Sequence, residues 1–156
     1  MMTKLCSDVL SKLRGKTLVT AESLTGGGIG ASLTAVSGSS AVYKGGIISY
    51  TNWVKENVLG VDGVVLEEMG AVSAPVAKAM AEGARTLLKA DVAVSVTGLA
   101  GPGGDEYGNS VGTVFIGYAD EQGCDVKHCL FSGSREEIRN QTIEEALKLI
   151  LTMQTI

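Results

Sequence analysis

Hydrophobic residues recur at helical spacing in three long segments of the chain. The first covers residues 4–14 and ends at Gly15, the second covers residues 73–89, and the third covers residues 135–151. Apolar side chains three or four positions apart lie on one face of a helix, so each segment predicts an amphipathic helix. Ser73 is expected to cap the second helix, with Pro75 in its first turn. The third helix is predicted to turn these side chains inward: Ile138, Ile143, Ala146, Leu147 and Ile150.

Short apolar, β-branched runs lie between these helices and predict five strands. They cover residues 17–21, 45–50, 92–96, 111–118 and 126–131. The run at 92–96 (VAVSV) carries no charge, which is typical of a central strand covered on both faces. The last two strands are expected to form an antiparallel hairpin, with about seven residues between them. Shorter helices are predicted around Ile29 and Leu33, over residues 52–58 and over residues 66–69.

Helices that alternate with strands, followed by a hairpin and a final helix, indicate an α/β fold. The expected architecture is a three-layer α/β/α sandwich around a mixed β-sheet. A length of 156 residues fits one domain, so residues 1–156 are predicted to form a single unit. A hydrophobic content of 45% is enough for a buried core.

Charge and cysteine content narrow the classes of function. A formal net charge of −4 argues against non-specific nucleic-acid binding, and no apolar run reaches the ~18 residues of a membrane span. Charged residues in the first helix argue against a secretory signal, so a cytoplasmic location is expected. Cys6, Cys124 and Cys129 lack metal-site spacing and are interpreted as reduced thiols. The single histidine, His128, is expected to be a half-exposed strand residue with no catalytic or metal-binding role.

Two glycine-rich segments follow predicted strands and are candidate anion sites. Residues 20–28 (TAESLTGGG) connect a strand to a helix, where backbone N–H groups attract anions. Residues 97–104 (TGLAGPGG) follow the most apolar strand, where ligands bind in open α/β sheets. Such a loop can surround a phosphate or an oxyanion with N–H donors. The alternatives are a capped helix start for the first segment and a surface connection for the second.

A third segment contains the groups needed for amide hydrolysis without a metal. Ser39 and Ser40 offer a nucleophile, Lys55 a base, and Tyr50 a hydroxyl that could pass the proton. Burial can lower the pKa of a lysine from ~10.4 toward ~7, because desolvation disfavours the ammonium form. The alternative is a solvated helix lysine at position 55 and a packing tyrosine at the end of a strand. The spacing alone does not establish that these residues converge.

Arg139 lies one turn into the last predicted helix. There it could pair with a helix glutamate such as Glu136, or bind a phosphate through both arms of its guanidinium.

Seven motifs in order along the chain give it a specific resemblance. They are TAESLTGG (20–27), SGSSAVYKGGIISYTN (37–52) with Lys55, LGV (59–61), GAVSAPV (70–76), VTGLAGPGG (96–104), VGTVFI (111–116) and GSREEIR (133–139). Over about residues 5–151 the chain resembles the CinA C-terminal domain family, whose characterised members are nicotinamide mononucleotide deamidases.

This resemblance implies an activity and a set of site residues. The expected reaction is cofactor-free, metal-free hydrolysis of the carboxamide of nicotinamide mononucleotide to nicotinate mononucleotide and ammonia, a step of pyridine nucleotide recycling. The family's Ser–Tyr–Lys catalytic set falls on Ser40, Tyr50 and Lys55, with Ser40 chosen over Ser39. The expected partners are the small-molecule substrate and a second copy in a homodimer, with no nucleic acid or membrane. The expected substrate-binding residues are Ser39, Thr25, Gly26, Gly27, Thr97, Gly98, Gly101, Gly103, Gly104 and Arg139.

Departures from the family pattern leave two other functions open. Leu24 replaces a usual cysteine, Trp53 a small or acidic residue, Val54 an alanine, and Ser110 a frequent proline. Trp53 could reshape the entrance to the site, which would fit a nucleotide-binding module without turnover. The name of the family raises a competence or recombination adaptor as another alternative, although no basic patch is visible. Nothing resembles the N-terminal molybdopterin-binding-like domain of longer members, so a stand-alone domain is expected.

Overall fold

The computed structural model of the protein describes residues 2–155, which contain one five-stranded sheet. Its strands are β1 (Leu18–Glu22), β2 (Tyr43–Ile48), β3 (Val92–Gly98), β4 (Thr113–Asp120) and β5 (Gly123–Leu130). The strand order is β2-β1-β3-β4-β5. Strand β1 runs parallel to β2 and β3, whereas β4 is antiparallel to both of its neighbours. The predicted mixed sheet is confirmed, and the three parallel strands end at the same edge.

Helices cover both faces of this sheet, which confirms the predicted layers. The helices are α1 (Met2–Lys12), α2 (Gly28–Thr34), α3 (Asn52–Asn57), α4 (Gly63–Met69), α5 (Ala74–Leu87) and α6 (Arg135–Gln154), with a 3₁₀ turn at Ser39–Ala41. Helices α1, α2 and α6 share one hydrophobic core with the sheet. Helix α5 and the residues around α4 form a second core on the other face. The five side chains predicted to point inward from the last helix are all buried.

Small residues bring α5 close to the centre of the sheet. Ser95 of β3 donates a hydrogen bond from its hydroxyl to the Ala77 carbonyl of α5 at 2.6 Å. A Cβ atom on Gly117 of β4 would lie 2.5 Å from that carbonyl oxygen. Alternate residues of a strand point to the same face, so Thr97 also faces α5 and lies where β3 ends. This packing fixes the height of the parallel strand ends relative to α5.

The hairpin is tighter than the sequence predicts. Only Glu121 and Gln122 separate β4 from β5, because the Asp120 carboxylate accepts the Gln122 N–H at 2.8 Å and Gly123 adopts a positive φ of 143°. The turn therefore closes on itself, and β5 starts three residues before its predicted first residue.

Two other sequence details are corrected. Ser73 occupies the N-cap position of α5, but its hydroxyl donates to the Gly70 carbonyl at 2.9 Å instead of capping the helix. Cys124 and Cys129 lie inside β5 instead of flanking it. His128 stacks on Phe115 with ring centroids 4.5 Å apart. Among residues 2–155, no helix combines the length and apolar character that crossing a membrane requires.

We expect Gly117→Ala to destabilise the fold, since its methyl group would meet the Ala77 carbonyl and the Ser95 hydroxyl. Overpacking of this kind costs about 1–3 kcal/mol of unfolding free energy. Urea denaturation measures the loss. The control is Gly103→Ala, where the added methyl group meets open space. Equal stability of the two variants would contradict the close packing of α5.

Candidate active site

The carboxyl ends of the three parallel strands surround a cavity of about 300 Å³. Ser23 directly follows β1, Tyr50 follows β2 by two positions, and Thr97 lies at the end of β3. The residues that line the cavity are Ser23, Leu24, Tyr50, Asn52, Lys55, Ala71, Val72, Thr97, Gly98, Leu99, Ala100, Gly101, Gly103 and Arg135. This position agrees with the general rule for ligand sites in open α/β sheets.

Lys55 is the most unusual residue of this cavity, because its amine is buried without a carboxylate partner among the described residues. Only 1% of the residue is exposed. Its Nζ donates to the Ser49 carbonyl at 2.7 Å and to Ser23 Oγ at 3.0 Å. Desolvation by burial lowers the pKa of this amine to about 8. At pH 7 about a tenth of such an amine is neutral and able to accept a proton.

Ser23 presents its hydroxyl to that amine from the point where β1 gives way to a turn. The residue is largely buried, and its N–H donates to the Val96 carbonyl of β3 at 3.1 Å. Its carbonyl accepts the Gly26 N–H at 3.0 Å, which closes the turn. The sheet and the turn therefore fix the Ser23 backbone on both sides. A serine hydroxyl next to a neutral lysine is the arrangement of a Ser–Lys nucleophile and base.

The structure does not bring the predicted nucleophile to the lysine. Ser39 and Ser40 lie in the 3₁₀ turn before β2, whereas Lys55 follows the other end of that strand. Six residues separate the two ends of β2, which corresponds to about 20 Å at the usual rise of a strand. Ser40 is exposed, Ser39 is largely buried, and neither lines the cavity. The predicted pairing of Ser40 with Lys55 is therefore corrected, and Ser23 is the serine in contact with the amine.

Tyr50 does line the cavity, but it does not connect the serine to the lysine. Its ring lies at the mouth with 55% of the residue exposed. Its hydroxyl accepts a hydrogen bond from Arg135 Nη2 at 3.0 Å, and Arg135 Nη1 donates to the Gly101 carbonyl at 2.6 Å. Because Lys55 contacts Ser23 directly, no intermediate hydroxyl is needed to pass the proton. The expected relay role of Tyr50 is thus replaced by a position at the entrance.

The first glycine-rich segment has its helix donors occupied by the protein itself. The buried Glu22 carboxylate accepts the N–H groups of Ile29 and Gly30 at 2.8 and 3.0 Å. It also accepts the Thr25 hydroxyl at 2.7 Å. The start of α2 is therefore neutralised by an internal carboxylate. Thr25, Gly26 and Gly27, which were predicted to bind substrate, do not line the cavity.

The second glycine-rich segment does reach the cavity. Thr97, Gly98, Gly101 and Gly103 line it as predicted, whereas Gly104 does not. The Thr97 hydroxyl donates to the Ala71 carbonyl at 2.9 Å, which joins the end of β3 to the start of the α5 region.

The loop that follows β3 leaves several donors free at the cavity. Among the described residues, the N–H groups of Ala100, Gly101 and Gly103 have no acceptor. They are available to an anionic ligand. Tyr107 and Asn109 hold the far part of the loop through the Glu67 and Val72 carbonyls.

Arg139 lies outside the cavity and contacts backbone carbonyls instead of a glutamate. Its Nε donates to the Leu24 carbonyl at 3.0 Å, and its Nη2 donates to the Thr25 carbonyl at 3.1 Å. Both predicted uses, pairing with Glu136 and binding a phosphate in the cavity, are corrected by this geometry. The cation at the cavity mouth is Arg135, one helical turn earlier.

The cavity is cationic although the chain is acidic. Lys55 and Arg135 line it, and no lining residue carries a carboxylate. Within residues 2–155 no group of three His, Cys, Asp or Glu side chains could hold a metal ion. A local excess of positive charge favours an anionic ligand regardless of the net charge of −4.

Sequence reasoning missed Ser23, Asn52 and Arg135 as lining residues. A usable signal exists for Ser23, because it follows a parallel strand whose neighbour ends at Thr97. Residues at such adjacent strand ends meet at one edge of the sheet. Arg135 has no comparable signal, because its contact with Tyr50 spans 85 positions of the chain.

A family comparison decides the relationship of this chain to known proteins. The family model described as the CinA C-terminal domain matches residues 2–154. The chain belongs to the CinA C-terminal domain family. The resemblance found in the sequence is confirmed.

Curated CinA-like proteins are similar in sequence over most of this chain. One from Geobacter sulfurreducens is 49% identical over 138 residues, which is 88% of this chain and 33% of that protein. One from Synechococcus sp. (strain RCC307) is 47% identical over 150 residues, which is 94% of this chain and 36% of that protein. The chain therefore spans about a third of the length of these relatives.

Solved structures of CinA proteins share the fold over their whole length. A CinA superfamily protein from Klebsiella pneumoniae superposes with a TM-score of 0.96 at 32% identity, covering 99% of this chain and 98% of that one. The competence/damage inducible protein CihA from Agrobacterium tumefaciens gives a TM-score of 0.94 at 36% identity, covering 97% and 94%. The α/β/α architecture is thus that of the CinA superfamily.

The buried amine of Lys55 predicts a specific dependence of stability on pH. Its pKa is about 8 in the folded protein and starts from an ordinary value of 10.5. Between these values the unfolded chain binds more protons at this site, so the free energy of unfolding gains a contribution that rises with pH from about 8 to about 10.5.

Urea denaturation of the wild type and of Lys55→Met across this pH range measures that contribution. We expect the variant to lack it, so its stability increases less with pH than that of the wild type. Lys78→Met, at an exposed lysine of α5, is the control and keeps the wild-type pH dependence. Parallel curves for wild type and Lys55→Met would contradict a lowered pKa at Lys55.

Proposed function

We propose that the protein hydrolyses the carboxamide of nicotinamide mononucleotide to nicotinate mononucleotide and ammonia. Ser23 is the nucleophile in this proposal and Lys55 is the base. The observation that carries it is the 3.0 Å contact between the buried Lys55 amine and the Ser23 hydroxyl in a cationic cavity. The choice of substrate is supported by the resemblance to deamidases of this family.

The first step forms an ester with the enzyme. Neutral Lys55 accepts the proton of the Ser23 hydroxyl while Oγ attacks the carboxamide carbon, and the carbonyl oxygen becomes an oxyanion. The Ser49 carbonyl holds the amine by a hydrogen bond of 2.7 Å, which leaves the nitrogen lone pair for Ser23. The Lys55 ammonium then protonates the departing nitrogen, the C–N bond breaks, and ammonia leaves.

The second step returns the enzyme to its starting state. Lys55, neutral again, removes a proton from water, and the resulting hydroxide attacks the ester carbon. The bond between that carbon and Ser23 Oγ breaks, and Lys55 returns the proton to the serine. Nicotinate mononucleotide is released as a carboxylate. A single amine therefore serves as base and acid in both halves of the reaction.

Groups at the cavity mouth suit the remaining parts of this substrate. Arg135 and the free N–H groups of the glycine loop can hold the phosphate, because they are donors without an internal carboxylate partner among the described residues. The exposed Tyr50 ring offers an aromatic face to the positively charged pyridinium. A cytoplasmic location and a homodimer belong to the same proposal and rest on the resemblance.

Serine substitutions test which hydroxyl attacks. We expect Ser23→Ala to lower ammonia release from nicotinamide mononucleotide by about 10³-fold or more, because the nucleophile is removed. Ser40→Ala is the matched control and retains wild-type turnover, since Ser40 lies at the far end of β2. Loss of activity in the Ser40 variant alone would contradict the assignment of Ser23. Binding of the mononucleotide without any ammonia release by the wild type would favour a non-catalytic binding module.

The pH profile tests the role of Lys55. Only the neutral amine accepts the serine proton, so kcat/KM is expected to rise with pH and to level off above the pKa of about 8. Lys55→Met is expected to lose turnover at every pH while still folding. A profile that is flat between pH 6 and 9 in the wild type, or that persists in the variant, would refute Lys55 as the base.

A further inference from the structure

Two peptide N–H groups directly after Ser23 have no internal acceptor, and an arginine outside the cavity holds the peptide that separates them. We propose that the N–H groups of Leu24 and Thr25 stabilise the oxyanion formed on the carboxamide, and that Arg139 is the residue that positions them. This inference rests on the proposed function, because it assigns the oxyanion site of that reaction.

The hydrogen bonding of the turn singles out these two donors. The N–H before them, on Ser23, donates to Val96, and the N–H after them, on Gly26, donates to Ser23. Among residues 2–155 no acceptor lies within hydrogen-bond distance of the Leu24 or Thr25 N–H. Both residues are nevertheless buried. A buried N–H without a partner costs free energy, which is recovered when a ligand or a reaction intermediate supplies the acceptor.

Arg139 determines where the Thr25 N–H points. In a trans peptide the N–H and the C=O point in opposite directions. Arg139 Nε holds the Leu24 carbonyl at 3.0 Å, so the N–H of the same peptide unit is directed away from Arg139. Leu24 itself lines the cavity, whereas Arg139 does not. The arginine therefore acts on the turn from outside and does not touch the substrate.

The guanidinium also holds the next peptide, which makes the turn rigid. Arg139 Nη2 donates to the Thr25 carbonyl at 3.1 Å, and the Thr25 hydroxyl donates to Glu22 at 2.7 Å. The turn is thus fixed by a cation on its carbonyls and by an anion on its side chain. A positive charge on a carbonyl oxygen polarises the peptide and strengthens its N–H as a donor. Preorganised donors of this kind act mainly on the transition state.

Steady-state kinetics of Arg139→Ala distinguish positioning from substrate binding. We expect kcat to fall about 10- to 100-fold while KM stays within about twofold, because the lost interaction belongs to the transition state. Millimolar methylguanidinium is expected to restore part of kcat by refilling the vacated site. Arg139→Lys is expected to retain an intermediate kcat, since an ammonium can hold the carbonyls without the planar fork. This variant also provides the comparison if Arg139→Ala does not fold.

Arg85→Ala is the matched control, because Arg85 also donates to a backbone carbonyl, that of Asp91, at 3.1 Å. Asp91 precedes β3, so this contact lies at the opposite end of the sheet from the cavity. We expect this variant to keep the wild-type kcat and to show no response to methylguanidinium. A raised KM with unchanged kcat in Arg139→Ala would overturn the proposal in favour of substrate binding. A kcat loss without rescue in Arg139→Ala, accompanied by a lower melting temperature, would overturn it in favour of a structural role.

A boronic acid tests the donors separately from turnover. Pyridine-3-boronic acid adds to a serine hydroxyl and presents a tetrahedral anion. We expect the backbone amide proton signals of Leu24 and Thr25 to move downfield in the wild type on binding, and to move less in Arg139→Ala. Unmoved signals in a wild type that releases ammonia would overturn the oxyanion assignment and leave the proposed function standing. A wild type that releases no ammonia would refute the proposed function and this inference together.

Discussion

The whole site depends on one amine that is kept out of water. Lys55 is buried, contacts no carboxylate among the described residues, and is held by a carbonyl and a hydroxyl. Desolvation without a compensating negative charge is what lowers its pKa. A carboxylate in the cavity would stabilise the ammonium and raise that pKa again. The absence of acids from the cavity lining is therefore part of the same device as the buried lysine.

The architecture could be predicted because it is written in local patterns. The helical spacing of Ile138 to Ile150 and the uncharged run at 92–96 each depend on which face of an element is buried, and both elements form where expected. Element ends were less accurate, because they depend on single hydrogen bonds such as that from Gln122 to Asp120. The family resemblance was confirmed, since its seven motifs run through the same elements.

The site was predicted only in part, because convergence of side chains is not a local property. Lys55, Tyr50 and most of the glycine loop reach the cavity. Ser40 does not, since position along the sequence does not reveal at which end of β2 a residue lies relative to Lys55. The donors at Thr25–Gly27 were expected to be free, but an acidic residue just upstream, Glu22, uses the helix start. Such internal satisfaction becomes visible only when the partner's position is known.

Helix α6 reaches the site twice from a single turn. Arg135 extends to Tyr50 and Gly101 at the mouth, and Arg139, four residues later, extends to the carbonyls of Leu24 and Thr25. Residues four apart lie on the same side of a helix, so both guanidinium groups move as one body. Any rotation or sliding of α6 is consequently felt at the entrance and beside the serine at the same time. The C-terminal helix thereby works as a lever that keeps substrate admission in step with the geometry of the reacting bond.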